Sequence, residues 1–222
     1  MAAWKVLEHA GFQVVLPKKG LCCGRPLYDF GLLDSARDKL TLVLDTLWPE
    51  FAAADGPIAL VGLEPGCLSV FKDEMLKLFP DDVRAKELAR YTFMFGDFLA
   101  QQNYKPPKMQ AHVLVHTHCH QKSLFGVAGD QVLLDRLGVK WQHLDSGCCG
   151  MAGSFGFHKD HAAMSLAIGE QVLFPAIRKQ PMSTYVLNKS RTRDDRQGVN
   201  GAGKASPACF FDKKRGRFCH SD

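Results

Sequence analysis

Cysteine occurs in this sequence as two adjacent pairs, each followed by glycine, and paired thiols of this kind are suited to binding metal clusters. The triplets are Cys22-Cys23-Gly24 and Cys148-Cys149-Gly150, which stand 126 positions apart. Adjacent cysteines rarely form a disulfide with each other because their side chains diverge. Both can nevertheless reach one multi-metal cluster, in which thiolate is the preferred ligand. The sequence therefore predicts metal–thiolate chemistry at two places.

Two further cysteines follow apolar runs that read as buried strands. Cys67 comes after residues 58–63, and Cys119 comes after residues 112–117. Because sites in α/β sheets lie at the carboxyl ends of the strands, we expect each of these thiols to lie close to one of the pairs. Each site then offers three thiolates, one fewer than the four usual for a cubane cluster. The candidate cofactor and metal ligands are Cys22, Cys23 and Cys67 in one site and Cys119, Cys148 and Cys149 in the other.

Histidines surround Cys119 and raise the question of which metal the second site would bind. In an extended segment His116, His118 and His120 share one face, while Cys119 faces the other way. This geometry favours roles for His118, His120 and Lys122 beside a cluster, through hydrogen bonds and charge balance. Zinc held by His and Cys ligands is the alternative interpretation.

The two triplets stand in similar surroundings. A short amphipathic helix, a glycine and a strand precede each of them, and a loop with Gly and Phe, followed by a helix near Ala36 or Ala162, comes after. Gly24 and Gly150 are expected to allow a sharp backbone turn beside the thiols, and loop N–H groups there can donate to sulfur. The duplication predicts an α/β fold with two similar lobes, mostly parallel sheets and a pseudo-twofold internal repeat.

Domain limits follow from this repeat. We expect a first cysteine-rich lobe at residues 1–103 and a second at 109–187, joined by a linker that contains two prolines. The offset of 126 places the counterpart of Cys67 at Arg193 and that of Cys119 ahead of residue 1. The sequence therefore indicates a fragment in which both lobes are incomplete, with an unrelated tail at 188–222.

The net charge of +5 resides in the tail, because residues 189–222 contain nine Lys or Arg and four Asp or Glu. The rest of the chain is neutral and gives no reason to expect nucleic-acid binding. The tail is predicted to be disordered because it combines charge with little apolar patterning. No apolar run approaches the roughly 18 residues of a membrane span, and the first residues lack a secretory pattern. A cytoplasmic location is therefore expected.

Four motifs occur together in a combination that resembles a known family. The motifs are Leu21 to Gly31, Glu64-Pro65-Gly66-Cys67, His116 to Lys122, and Asp145 to Gly156. They resemble the cysteine-rich (Cys-Cys-Gly, CCG) domain pair that occurs in heterodisulfide reductase, in iron–sulfur subunits of glycolate oxidase and anaerobic glycerol-3-phosphate dehydrogenase, and in lactate-utilisation proteins. The likeness is greatest to the C-terminal part of FAD-linked D-lactate or D-2-hydroxyacid dehydrogenases. Glu64 departs from the pattern, because some members have cysteine there.

The resemblance implies electron transfer through an iron–sulfur cluster, expected to be of the 4Fe-4S type, held by the six cysteines named above. FAD would belong to a missing part or to a partner flavoprotein dehydrogenase, so this portion of an oxidoreductase should not turn over alone. The electron acceptor would be a quinone or a disulfide carrier, and peripheral attachment to a membrane stays open. Two alternatives remain at this point: a zinc-stabilised or metal-free interaction module, and an inactive gene fragment.

Overall fold

The computed structural model describes residues 2–17, 20–52, 58–152, 155–188 and 209–212, and the chain divides into two compact units. The first unit comprises residues 1–104 together with 206–222, and the second comprises residues 105–205. The division falls at the start of the proline-containing linker.

The first unit is built on a mixed four-stranded sheet with the order β1-β7-β2-β3. Strand β2 runs parallel to β3, whereas β7 runs antiparallel to both β1 and β2. The strands are β1 (Gln13–Val15), β2 (Ile58–Gly62), β3 (Thr92–Met94) and β7 (Cys209–Asp212). The helices are α1 (Ala2–His9), α2 (Arg25–Asp29), α3 (Leu33–Ala52), α4 (Pro65–Lys72), α5 (Glu74–Leu78), α6 (Val83–Arg90) and α7 (Phe95–Gln101).

The core of the first unit lies around β2 and α3. All five residues of β2 are buried, which confirms the expectation from its uninterrupted apolar run. The apolar face predicted for α3 is also confirmed, because Leu40, Val43, Leu44 and Leu47 are buried. The strand that enters the first candidate site is therefore anchored in the middle of the core.

The second unit is built on a parallel three-stranded sheet with the order β5-β4-β6. Neighbouring residues of β4 point to opposite faces, so Leu114 belongs to one apolar cluster and Val115 to another. The strands are β4 (His112–His116), β5 (Lys140–His143) and β6 (Thr184–Asn188). The helices are α8 (Cys119–Leu124), α9 (Ala128–Leu137), α10 (Ala162–Gln171) and α11 (Leu173–Arg178), with 3-10 turns at Phe155–Phe157 and Lys159–His161.

Two long helices expected from the sequence are each divided. The stretch 82–102 contains β3 between two helices, because Thr92–Met94 pairs with an edge of β2. The stretch 121–137 is interrupted at Gly126, which adopts a φ of 79° that a continuing helix does not allow. The α/β class and the parallel strand pairs are as predicted, and the pseudo-twofold relation between the units stays a prediction.

The expectation of a wholly disordered tail is wrong for four residues. Residues 209–212 form β7 and pair with two strands of the first unit. The apolar Cys209-Phe210-Phe211 supplies strand-forming sequence there, and β1 and β2 each offer it an edge with backbone groups to pair. The remainder of the predicted tail lies outside the described residues. In the part of the chain that the structure describes, no helix is both long and apolar enough to cross a bilayer.

Candidate metal centre

The first Cys-Cys-Gly triplet lies in the loop that follows β1. Gly24 has a φ of 76°, in the left-handed region, and its N–H donates to Sγ of Cys22 over 3.5 Å. Cys22 is exposed, whereas Cys23 is only 8% exposed. The turn thus places one sulfur at the surface and the next inside the unit.

The second triplet follows β5 and repeats these features. Gly150 has a φ of 93°, and its N–H donates to Sγ of Cys148 over 3.3 Å. Cys148 is exposed, and Cys149 is 5% exposed within the cluster that contains Leu114. The same residue pattern therefore produces the same local arrangement in both units.

A third thiol joins each pair from the start of a helix. Cys67 lies in the first turn of α4, where the side chain of Glu64 caps the helix by accepting the N–H of Cys67 over 2.5 Å. The thiols of Cys67 and Cys23 interact directly. Cys119 is the first residue of α8, and its thiol interacts with that of Cys148 and with the charge of Cys149.

The three candidate cysteines of each unit are therefore brought together, as their positions after strands predicted. Within the described ranges, no three His, Cys, Asp or Glu side chains form a group that is ready-made for a single metal ion.

Crowding of the thiols makes them reluctant to ionise. For Cys22, the hydrogen bond with Cys23 is the main cause of a pKa well above the ordinary value, and burial adds to it. For Cys23, the hydrogen bond from Cys22 lowers the pKa, but the contact with Cys67 and burial outweigh this effect and raise the pKa to about 12. A cation or cluster that replaced the protons would relieve this mutual repulsion of thiolates.

In the second unit, burial is the main cause of a raised pKa for Cys119, and the negative charges of Cys148 and Cys149 raise it further. Lys122 opposes this shift by its positive charge. Its Nζ donates to the carbonyl oxygen of Ser146 over 2.8 Å, which fixes the lysine beside the loop that carries the cysteine pair.

Alkylation of the metal-free protein should reveal the raised pKa of Cys119. Since the folded protein holds this thiol proton more tightly than the unfolded chain, iodoacetamide should modify Cys119 slowly near pH 8. The rate should rise as the pH passes above the ordinary thiol value of about 8.5. Replacing Cys148 and Cys149 together with Ser should speed the reaction at a fixed pH. Mass spectrometry of the modified peptide measures this, and an unchanged rate in the double variant would contradict the assigned cause.

The same shifts have a sign for stability. A thiol with a raised pKa stabilises the folded metal-free protein below its ordinary pKa, and this contribution is lost as the pH rises towards the folded value. For Cys23 the window of loss begins near the ordinary thiol pKa and ends at about 12. The metal-free first unit should therefore become less stable in alkaline solution.

The histidines beside Cys119 differ from the sequence expectation. The chain is not extended through His120, because His118 caps α8 by accepting the N–H of His120 at its Nδ1 over 3.1 Å. The rings of His118 and His120 stack with centroids 5.2 Å apart. His116 is buried at the end of β4. The alternating-face argument against a joint zinc site is thus wrong in its premise, because a helix begins at Cys119.

Sequence reasoning missed Arg25, which directly follows the first triplet. Its guanidinium contacts α4 through Nε on the carbonyl oxygen of Gly66 over 3.2 Å and through a second nitrogen on Oγ of Ser69 over 2.7 Å. It also forms an ion pair with Glu74 over 2.5 Å, and both side chains are nearly buried. Arg25 therefore ties the loop of Cys22 and Cys23 to the helix that carries Cys67. A charged residue next to the triplet was the available signal.

Comparison with known proteins identifies the second unit. The family model described as the cysteine-rich domain (CCG) matches residues 113–178. The C-type subunit of anaerobic glycerol-3-phosphate dehydrogenase of Escherichia coli K12 is 31% identical over 171 residues, which cover 74% of this chain and 42% of that protein. Lactate utilization protein A of Bacillus subtilis 168 is 28% identical over 165 residues, which cover 69% of this chain and 66% of that protein. No solved structure matches the chain.

The chain therefore carries a cysteine-rich domain of the CCG family. It is homologous to that glycerol-3-phosphate dehydrogenase subunit and to lactate utilization protein A, and it spans less than half the length of the former.

Proposed function

We propose that this chain is an iron–sulfur electron-transfer module that serves a flavin-dependent dehydrogenase of 2-hydroxyacids such as D-lactate or glycolate. The observation that carries the proposal is the grouping of three thiols in each unit beside a glycine N–H that donates to sulfur. Thiolates are the usual ligands of iron–sulfur clusters, and N–H donors to sulfur tune their potentials. A cluster bound there, which we expect to be of the 4Fe-4S type, would supply one-electron transfer.

The residues of the chain have distinct parts in this proposal. Cys22, Cys23 and Cys67 would hold the group in the first unit, and Cys119, Cys148 and Cys149 would hold it in the second. Each set has three thiols, so a fourth ligand would have to come from elsewhere. Gly24 and Gly150 shape the loops, while His118, His120 and Lys122 lie beside the second set and Lys122 offsets its negative charge.

The names of the relatives support the substrate class. Lactate and glycerol 3-phosphate each carry a secondary alcohol, and oxidation of such an alcohol to a ketone releases two electrons. We assign that oxidation to a flavoprotein partner, or to another domain that binds FAD, and the passage of single electrons to this chain. On this proposal the protein acts in the cytoplasm, at the membrane surface if its acceptor is a quinone, and does not oxidise lactate alone.

Anaerobic reconstitution with iron and sulfide tests the proposal. We expect iron and acid-labile sulfide in equal amounts, a broad visible charge-transfer absorbance and an EPR signal. Replacing Cys148 and Cys149 together with Ser should remove most of the signal, and replacing Cys22 and Cys23 should remove less. The reason is that the second sheet is complete within one stretch of chain, whereas the first depends on β7. Cys219→Ser is the matched control, since this cysteine belongs to neither set.

Three outcomes would contradict parts of this proposal. Zinc without sulfide would indicate a zinc-stabilised interaction module instead. Absence of any bound metal would favour an inactive fragment. Equal losses from the two double variants would refute the ranking of the units.

A further inference from the structure

The strand between β1 and β2 occupies a place that a different kind of strand holds in the second unit. There the order is β5-β4-β6, and the middle strand β4 runs parallel to both neighbours. The offset of 126 residues carries β6 onto β2 and carries β5 onto residues 14–17, which overlap β1. In the first unit, β7 therefore takes the place of β4, with the opposite direction.

Strand β7 is what joins β1 to the sheet. Among the strands that the structure describes, β7 alone pairs with β1, and it also pairs with one edge of β2. Phe211 lies opposite Val14 on one side and Ala59 on the other. Since neighbouring strands are spaced about 4.8 Å apart, β1 and β2 without β7 would face each other across about 10 Å with unpaired backbone groups. Such unpaired groups are costly beside buried residues such as Leu60.

This arrangement reaches the candidate metal centre directly. Strand β1 leads into the loop of Cys22 and Cys23, and β2 leads into the helix of Cys67. The two parts of the first thiol group thus hang on two strands that are held in register through β7. Arg25 is the other tie between them, and it lies beyond the strand ends.

We propose that the first unit presents an acceptor slot, defined as the facing edges of β1 and of residues 58–61 in β2, and that residues 209–212 of the same chain are its occupant. The occupant binds by strand addition, in which main-chain hydrogen bonds supply the affinity. Its role is to keep Cys22 and Cys23 beside Cys67. The inference concerns the metal-free chain and does not rest on the proposed function.

A proline within the occupant tests this role in the full-length, reduced, metal-free chain. Phe211→Pro removes an N–H in the middle of the sheet, where proline is not accommodated. Amide hydrogen exchange at residues 13–15 and 58–61 should accelerate about tenfold or more. Iodoacetamide should modify Cys23 faster by a similar factor, while Cys149, which is equally buried, keeps its rate and serves as the internal control.

A peptide supplied in trans separates loss of the occupant from general damage. A synthetic peptide of residues 206–216 added to the Phe211→Pro protein should restore slow modification of Cys23, and the same peptide with Phe211→Pro should not. Ser221→Pro is the matched control variant, because it adds a proline to the tail without altering residues 209–212.

Three results would overturn the proposal. The first is exchange and modification in Phe211→Pro that equal those of the parent protein. The second is an equal acceleration at Cys149, which would mean a loss of structure in both units. The third is a failure of the parent peptide to slow the modification of Cys23.

Discussion

Replacing Arg25 with Met should destabilise the first unit by about 3–5 kcal/mol, because it would leave the carboxylate of Glu74 buried without its partner. Glu74 is 8% exposed, and Arg25 also satisfies Ser69 and the carbonyl oxygen of Gly66. Urea unfolding followed by the fluorescence of Trp4 and Trp48, the tryptophans of the first unit, measures the free energy of unfolding.

Two controls distinguish the cause of this loss. The double variant Arg25→Met with Glu74→Met removes both charges and should recover most of the stability, since the orphaned carboxylate is gone. Arg84→Met breaks ion pairs with Asp45 and Asp82 that are largely exposed, so it should cost no more than about 1 kcal/mol. A double variant that is no more stable than Arg25→Met alone would show that the buried charge is not the cause.

Replacing Gly150 with Ala should destabilise the second unit by about 2–5 kcal/mol, which combines left-handed backbone strain with overpacking. A Cβ at this position would clash with the backbone oxygen of Ser165, and the φ of 93° already disfavours a side chain. Unfolding followed by Trp141, in a background with Trp4 and Trp48 replaced by Phe, reports on this unit.

Two other glycines calibrate the result. Gly24→Ala should cost only about 1–2 kcal/mol in the first unit, because its Cβ would meet the backbone of Ala36 at 3.4 Å, an ordinary contact, and only the strain of a left-handed residue remains. Gly147→Ala should change little, since nothing lies within 4 Å of its Cβ and its φ is not positive. Equal effects at Gly150 and Gly147 would contradict the steric explanation.

The sequence was sufficient to predict the features that depend on local pattern and on strand ends. The buried β2, the apolar face of α3 and the convergence of three thiols in each unit follow from periodicity and from the position of each cysteine after a strand. The turn at Gly24 and Gly150 was also expected, because it needs only the two residues before each glycine. These features involve neighbours along the chain or a general rule about sheets.

Features that depend on distant partners were not predictable in the same way. Arg25 meets Glu74 across 49 positions, and nothing in either local sequence specifies the pairing. Strand β7 pairs with residues nearly 200 positions earlier, and its four residues are too short to stand out in a charged tail. His118 could end an extended stretch or cap a helix, and the choice depends on where α8 begins. In each case the free energy that decides the structure comes from the partner.

In each adjacent cysteine pair one sulfur is exposed and the other is buried, and Cys119 is exposed as well. A metal-free chain in air therefore carries three outward thiols, Cys22, Cys119 and Cys148, and adjacent residues rarely bridge each other. Oxidation between molecules then joins each chain to as many as three others, so the product is a branched covalent network rather than a dimer. Because the pKa values of Cys22 and Cys119 are raised, this cross-linking should be slow near neutrality and faster in alkaline solution. The metal-free protein should accordingly gel or precipitate as its thiols oxidise, and a reductant should dissolve the precipitate.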